Sequence, residues 1–258
     1  MMVRGPRRRA AGRATGAREP GGMRVTGRLH GVVAMDGPSG TGKSTVSRRL
    51  AAACGAAYLD TGAMYRALTL AVLRSGLEGT ESDTEKVAVA AVADLESVTD
   101  PSAPAIRLSG EDVESEIRGA AVTSAVSAVS AIPAVRAALV ERQRVLIDEA
   151  ITGCGGIVVE GRDIGSVVVP DAPLKVYLTA SEDVRAARRE AQDRKAGRAA
   201  DHAAVLADVR RRDELDSTRK TSPLHAAPDA LVLDTDGLSV DDVLTELLRL
   251  VTDRGMVT

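Results

Sequence analysis

The stretch MDGPSGTGKST, Met35 to Thr45, concentrates small and turn-forming residues beside one lysine and two hydroxyls. Gly37, Pro38, Ser39, Gly40, Thr41, Gly42, Lys43 and Ser44 together satisfy G-x-x-x-x-G-K-[ST], between an apolar run and a helical pattern. Glycines let the chain curl so that successive N–H groups face inward, and the helix that follows turns its positive dipole end to the same point. The ligand of such a loop is a polyphosphate. Lys43 reaches its terminal phosphates, Ser44 its magnesium ion, and Thr45 stands close behind.

What receives the phosphoryl group is a separate question. An Asn-Lys-x-Asp run, which would read guanine, is absent from the sequence. Arginines instead accompany small-residue turns: Arg66 in LDTGAMYRAL, Arg162 in VEGRDIGSVV, Arg212 and Arg219 in RRRDELDSTRK. Two anionic substrates brought tail to tail repel each other, and forked guanidinium groups hold both while neutralising the charge of transfer. Arg66 and Arg162 follow Gly-containing turns at predicted strand ends and are read as functional. Arg48, Arg49, Arg142 and Arg144 lie on predicted helix faces and are read as solvated charge. Cys54 and Cys154 are isolated, without metal-ligand spacing, and read as buried reduced thiols of a cytosolic protein. His30, His202 and His225 join no pattern.

These residues need a scaffold that holds loops at strand ends. HGVVAMD (30–36) reads as a buried strand, 44–54 as a helix, AAYLD (56–60) as a strand and 61–76 as a helix ending at Gly76. Further strands are expected at 155–160, 174–179 and 229–235, with helices at 133–150, 181–191, 205–215 and 239–251. Ser239 and Asp242 form a capping-box pair at the last helix. This alternation predicts an α/β fold with a doubly wound, mostly parallel sheet. It fails between 80 and 118, where 95–118 reads as short antiparallel strands with turns at Asp100–Ser102 and Ser109–Gly110, a small β insert forming a separate lobe.

Composition sets outer bounds. The 258 residues are 44% hydrophobic with no Trp and no Phe, so one substantial core must be built from Val, Leu, Ile and Ala. No uninterrupted apolar stretch approaches the ~20 residues of a membrane span, so the expectation is a soluble chain. Residues 1–28 hold eight Arg and one Glu, a local +7 against a net charge of −2 for the whole chain. That tail has no apolar periodicity and is expected to stay disordered; Met23 could begin a shorter chain. It has no aromatic residue to stack on bases, so nucleic acid is not the expected partner.

DGPSGTGKST, YLDTGAMYRALTLAVL, GEDVESEIR, VEGRDIGSVVVPDAPLKVYLTAS and RRDELDSTRKTSPLHAAPDALVLDT together resemble bacterial cytidylate kinase, the CMP kinase branch of the P-loop nucleoside monophosphate kinases. The likeness runs from about residue 30 to 250 and leaves out only the basic tail. It implies one kinase domain over 29–258, with a core at about 29–75 and 133–258, a monophosphate-binding lobe at 76–132 and a mobile lid at 188–202. It further implies ATP as co-substrate, Mg2+ as cofactor, and transfer to CMP and dCMP in a cytoplasmic monomer.

By motif, Thr61 and Arg66 should lie near the CMP phosphate and ribose, and Arg162 on the acceptor phosphate. Asp163 should accept from the cytosine amino group while Arg136 donates to its O2 and N3 side, with Ser127 nearby; Ser124 and Ser130 compete for that place. Arg212 and Asp216 should hold the ribose hydroxyls and adjoining phosphate, and Arg219 should reach phosphate. Arg188, with Arg189, belongs to the lid. Glu160 should orient the water shell of magnesium, where some relatives carry the shorter Asp. The alternatives are another small-acceptor kinase, for UMP, AMP or shikimate, and a noncatalytic nucleotide-binding switch.

Overall fold

The computed structural model describes residues 27–76, 80–195, 197, 201–219 and 221–258. Nearly all of the basic tail, and positions 196 and 198–200 of the expected lid, lie outside them. Five strands form one parallel sheet: β1 (Gly31–Asp36), β2 (Ala57–Asp60), β6 (Gly156–Glu160), β7 (Leu174–Thr179) and β8 (Leu231–Asp234). Their spatial order is β2-β6-β1-β7-β8. The chain leaves β1 for the far edge β2, returns through β6 beside β1, and only then builds outward on the other side through β7 and β8. The order therefore reverses at β1, where a doubly wound sheet opens its crevice.

β1 is a continuous apolar run because both of its faces are covered. Val32 and Ala34 join one apolar cluster with Met64, Leu68, Leu139 and Ile147, while Val33 and Met35 join another with Leu50, Leu247 and Val251. α2 (Thr61–Arg74) and α5 (Pro133–Cys154) cover the first face, α1 (Lys43–Ala53) and α8 (Val240–Asp253) the second. α5 starts on Pro133 and runs four residues past the expected end to a left-handed Gly155. α8 starts on the expected capping box, in which Ser239 Oγ donates to Asp242 Oδ2 at 2.6 Å. Among the described residues no single helix is long and apolar enough to cross a membrane. α4 (Ala120–Ala131) and α5 combine enough length and apolar character only as a pair bent by 95°.

The insert holds three antiparallel strands, β3 (Leu95–Val98), β4 (Ala105–Leu108) and β5 (Glu111–Asp112), with the expected turns between them. Leu95, Ile106 and Leu108 enter the same apolar cluster as the first face of the sheet. A further helix and an irregular turn were not foreseen. α3 (Glu81–Ala90) buries Ala88 alone, so its apolar stripe is too thin to read in a polar sequence. Ile164–Val168 winds as a single turn of π-helix, a form found at functional sites. α6 (Glu182–Lys195) and α7 (His202–Thr218) complete the fold, both longer than their apolar patterns.

Candidate active site

The phosphate loop leaves β1 through Gly37, at φ 138, where a Cβ would lie 2.1 Å from the carbonyl oxygen of Leu178. No other residue fits that position. Lys43 folds into its own loop, its Nζ donating to the carbonyls of Gly37 at 2.7 Å and Pro38 at 2.6 Å. Burial first, then repulsion from Arg162, holds its ammonium well below the usual lysine range. Arriving phosphates would reverse that shift.

Behind the loop, Arg185 donates from Nη1 to Ser39 O at 3.3 Å and pairs with Asp213 on α7. Arg188 is placed on α6, its Nη1 donating to Thr41 O at 3.2 Å and its Nη2 to Thr235 O at 2.7 Å, so its guanidinium braces the loop. Ser44 Oγ donates to Glu160 Oε2 at 3.1 Å, and Tyr58 Oη donates to the other carboxylate oxygen. Burial, then Asp60, pushes the Glu160 carboxyl up. Thr45 lines the cleft and is otherwise exposed.

Across a cleft of about 640 Å³, the second group of residues converges. Asp163 and Arg136 pair directly, at 5% and 3% exposure, and the guanidinium lies 5.6 Å from the centre of the Tyr65 ring. Arg162 directs Nε at Asp216 Oδ2, 3.3 Å away. Arg66 is held by Ile117 O and Thr123 Oγ1, each at 3.0 Å. Thr61 gives its hydroxyl proton to Glu160 O at 2.7 Å, tying the start of α2 to the end of β6. Ser127 and Ser130 both line the cleft and are buried, whereas Ser124 is exposed.

The arginines carry more positive charge than their protein partners offset. Burial first, then Arg212, pushes Arg66 down to about 9. Arg212 and Arg219 are lowered too, by burial and then by Arg162 and Arg136 respectively. Among the described residues, Arg136 Nε, Arg212 Nε and Arg219 Nη2 are buried donors with no acceptor. Buried polar groups normally find partners, so this side of the cleft is built for an anion rich in oxygen.

Every site residue expected from sequence therefore borders this one cleft or the loop that closes its end. Asp36, Tyr58, Tyr65, Arg118 and Arg185 were not foreseen. Asp36 stands directly before the loop, but its partners, the amides of Ile164 and Gly165, are 128 and 129 residues away. Arg144 is exposed on α5 as expected, and it also braces the π turn: Nε donates to Val168 O at 3.0 Å and Nη2 to Val167 O at 2.8 Å. Cys54 is buried as expected, its thiol pushed up to about 11 by desolvation, but Cys154 is only half-buried.

Comparison with known proteins agrees with this geometry. Residues 33–253 match the family profile described as cytidylate kinase. The cytidylate kinase of Rhodococcus opacus (strain B4) is 59% identical over 227 residues, 88% of this chain and 96% of its own. That of Mycolicibacterium paratuberculosis is 58% identical, covering 88% of this chain and 97% of its own, and that of Nocardia farcinica 58%, covering 86% and 94%. With a phosphate loop at one end of the cleft, a buried Arg–Asp pair at the other and this similarity along most of its length, the chain belongs to the cytidylate kinase family.

Proposed function

We propose that this protein transfers the terminal phosphoryl group of ATP to CMP and dCMP, giving CDP or dCDP and ADP. The observation that carries the reading is the buried Arg136–Asp163 pair facing the phosphate loop across an arginine-lined cleft. Cytosine offers an amino donor beside two acceptors, and a carboxylate next to a guanidinium is the complementary reader. Uracil places a carbonyl where Asp163 offers only acceptors. In a site this dry the mismatch costs roughly 1–3 kcal/mol.

Arg162, Arg212 and Arg219 hold the acceptor phosphate, Arg66 its approach from α2, and Asp216 the ribose. The amides of Gly40, Thr41 and Gly42 together with Lys43 hold the donor phosphates. Leu238, Val240 and Val243 also line the cleft and suit the flat face of the donor base. An acceptor oxygen then attacks the γ-phosphorus in line as the bond to the β-bridging oxygen breaks. That oxygen is already an ionised nucleophile, so alignment and charge compensation suffice and no general base is needed.

Ser44 Oγ and Glu160 Oε2 are hard oxygen groups 3.1 Å apart, a pair that fits a magnesium ion, Ser44 directly and Glu160 through water. Held there, the ion would supply positive charge against the phosphates. Residues 76–132 serve as the lobe that encloses the acceptor. The protein acts as a monomer in the cytoplasm, on small nucleotides in pyrimidine nucleotide metabolism. The test is ADP release with CMP, dCMP, UMP, AMP and shikimate as acceptors. CMP and dCMP should exceed the others by tenfold or more in kcat/KM, on the order of one lost charged hydrogen bond; equal rates with UMP or AMP, or hydrolysis without any acceptor, would contradict the proposal.

A further inference from the structure

We propose that Asp36 is a positioning residue for the acceptor: its carboxylate fixes the loop carrying Arg162 and Asp163 to the strand that carries the phosphate loop. This rests on the assignment of Arg162 and Asp163 to CMP. β1 ends in Asp36, 5% exposed, with Gly37 of the phosphate loop immediately after it. A buried carboxylate beside a site for polyphosphate repels the donor, so its presence calls for a role.

The geometry supplies one. Asp36 Oδ1 accepts from Ile164 N and Oδ2 from Gly165 N, both at 2.8 Å. These are the opening amides of the π turn, which has no carbonyl of its own to offer them. On the carbonyl side of Asp163, the turn closes as Val167 N and Val168 N donate back to Asp163 O at 2.9 and 3.2 Å. The peptide that follows Asp163 is thus tied at its amide and at its carbonyl, and upstream Gly161 N donates to Met35 O of β1 at 2.9 Å. Gly165 is wedged as well, since a Cβ there would stand 3.0 Å from Lys175 Cδ on β7. Neither bond uses the side chain of Arg162 or Asp163, so holding the loop to β1 does not compete with substrate for them.

Asp36→Asn tests this in the full-length protein. The amide keeps the shape but leaves one acceptor, and its NH2 must face a backbone N–H. Expected are a fall of at least about tenfold in kcat/KM for CMP and a KM for ATP within about threefold of the parent, from a folded protein. Parent-like CMP kinetics, or equal losses for both substrates, would overturn the proposal.

Asp163→Asn is measured in parallel. If it too leaves CMP kinetics unchanged, the assignment to cytosine fails and this inference with it; if it alone impairs CMP, only the inference about Asp36 fails. Hydrogen exchange on the unsubstituted enzyme decides the matter even if Asp36→Asn does not fold. The amides of Ile164 and Gly165 should be protected like those of β6 before nucleotide is added. Protection that appears only with CMP would mean that the substrate, and not Asp36, sets the loop.

Discussion

Replacing Asp163 by Asn removes one charge while keeping the side chain's outline. The carboxylate is 5% exposed and its partner Arg136 3% exposed, so water cannot stand in for what is lost. A hydrogen bond to a charged group contributes roughly 1.5–3 kcal/mol, which converts to about ten- to 150-fold in affinity. CMP should therefore show a KM raised at least about tenfold at saturating MgATP, whereas the ATP requirement, set at the other end of the cleft, should move less than about twofold. Because the Asn amide can donate to the uracil O4, the preference for CMP over UMP should contract by a similar factor. The assay is coupled ADP release, varying each substrate against saturating levels of the other, with a melting curve to establish folding. An unchanged CMP KM, or an unchanged CMP-to-UMP ratio, would refute the view that Asp163 reads the base.

Two further outcomes follow from the site. Lys43→Ala should lower turnover by about a hundred- to thousandfold while leaving CMP binding measurable by calorimetry, since Lys43 compensates charge on the transferred group; turnover within tenfold of the parent would displace Lys43 from that role. The Asp36 carboxyl is raised from an ordinary 3.8 to about 6, burial being the largest cause. A group raised in the folded state contributes stability that is complete below its unfolded value and lost as pH climbs through the folded one. At ~1.36 kcal/mol per unit this is on the order of 3 kcal/mol. The melting-temperature difference between the parent and Asp36→Asn should thus move in the variant's favour between pH 4 and pH 6; a difference flat with pH would show that Asp36 does not titrate in this window.

How far sequence reaches differs from residue to residue. Gly37 to Ser44 were legible because a loop that cradles phosphate needs particular residue types at adjacent positions, and adjacency is what a sequence records. Arg66, Arg162, Asp163, Arg212 and Arg219 stood out through their motifs and their resemblance to a family, since nothing in their local spacing says they face one another. Asp36, Tyr58 and Arg185 were illegible for a single physical reason. Each acts on a partner brought near only by the fold: Ile164 for Asp36, Glu160 for Tyr58, Ser39 for Arg185. The sheet was readable strand by strand from its apolar runs. Its order β2-β6-β1-β7-β8 was not, because parallel neighbours leave no turn between them to count. α3 was missed where its contact with the core shrinks to Ala88, and the bonds of exposed Arg144 to the π turn were illegible because their acceptors are backbone carbonyls of an irregular turn.

β1 and β6 lie side by side with Met35 opposite Glu160, and each strand runs on directly into one of the two substrate loops. Neighbouring strands stand about 4.8 Å apart whatever side chains they carry. The gap across which phosphorus travels is therefore gauged by a ruler made of main chain, which mutation cannot easily recalibrate. Descendants of such a scaffold are free to exchange one acceptor for another at the outer end of the cleft while the reach of the transfer itself stays as it was.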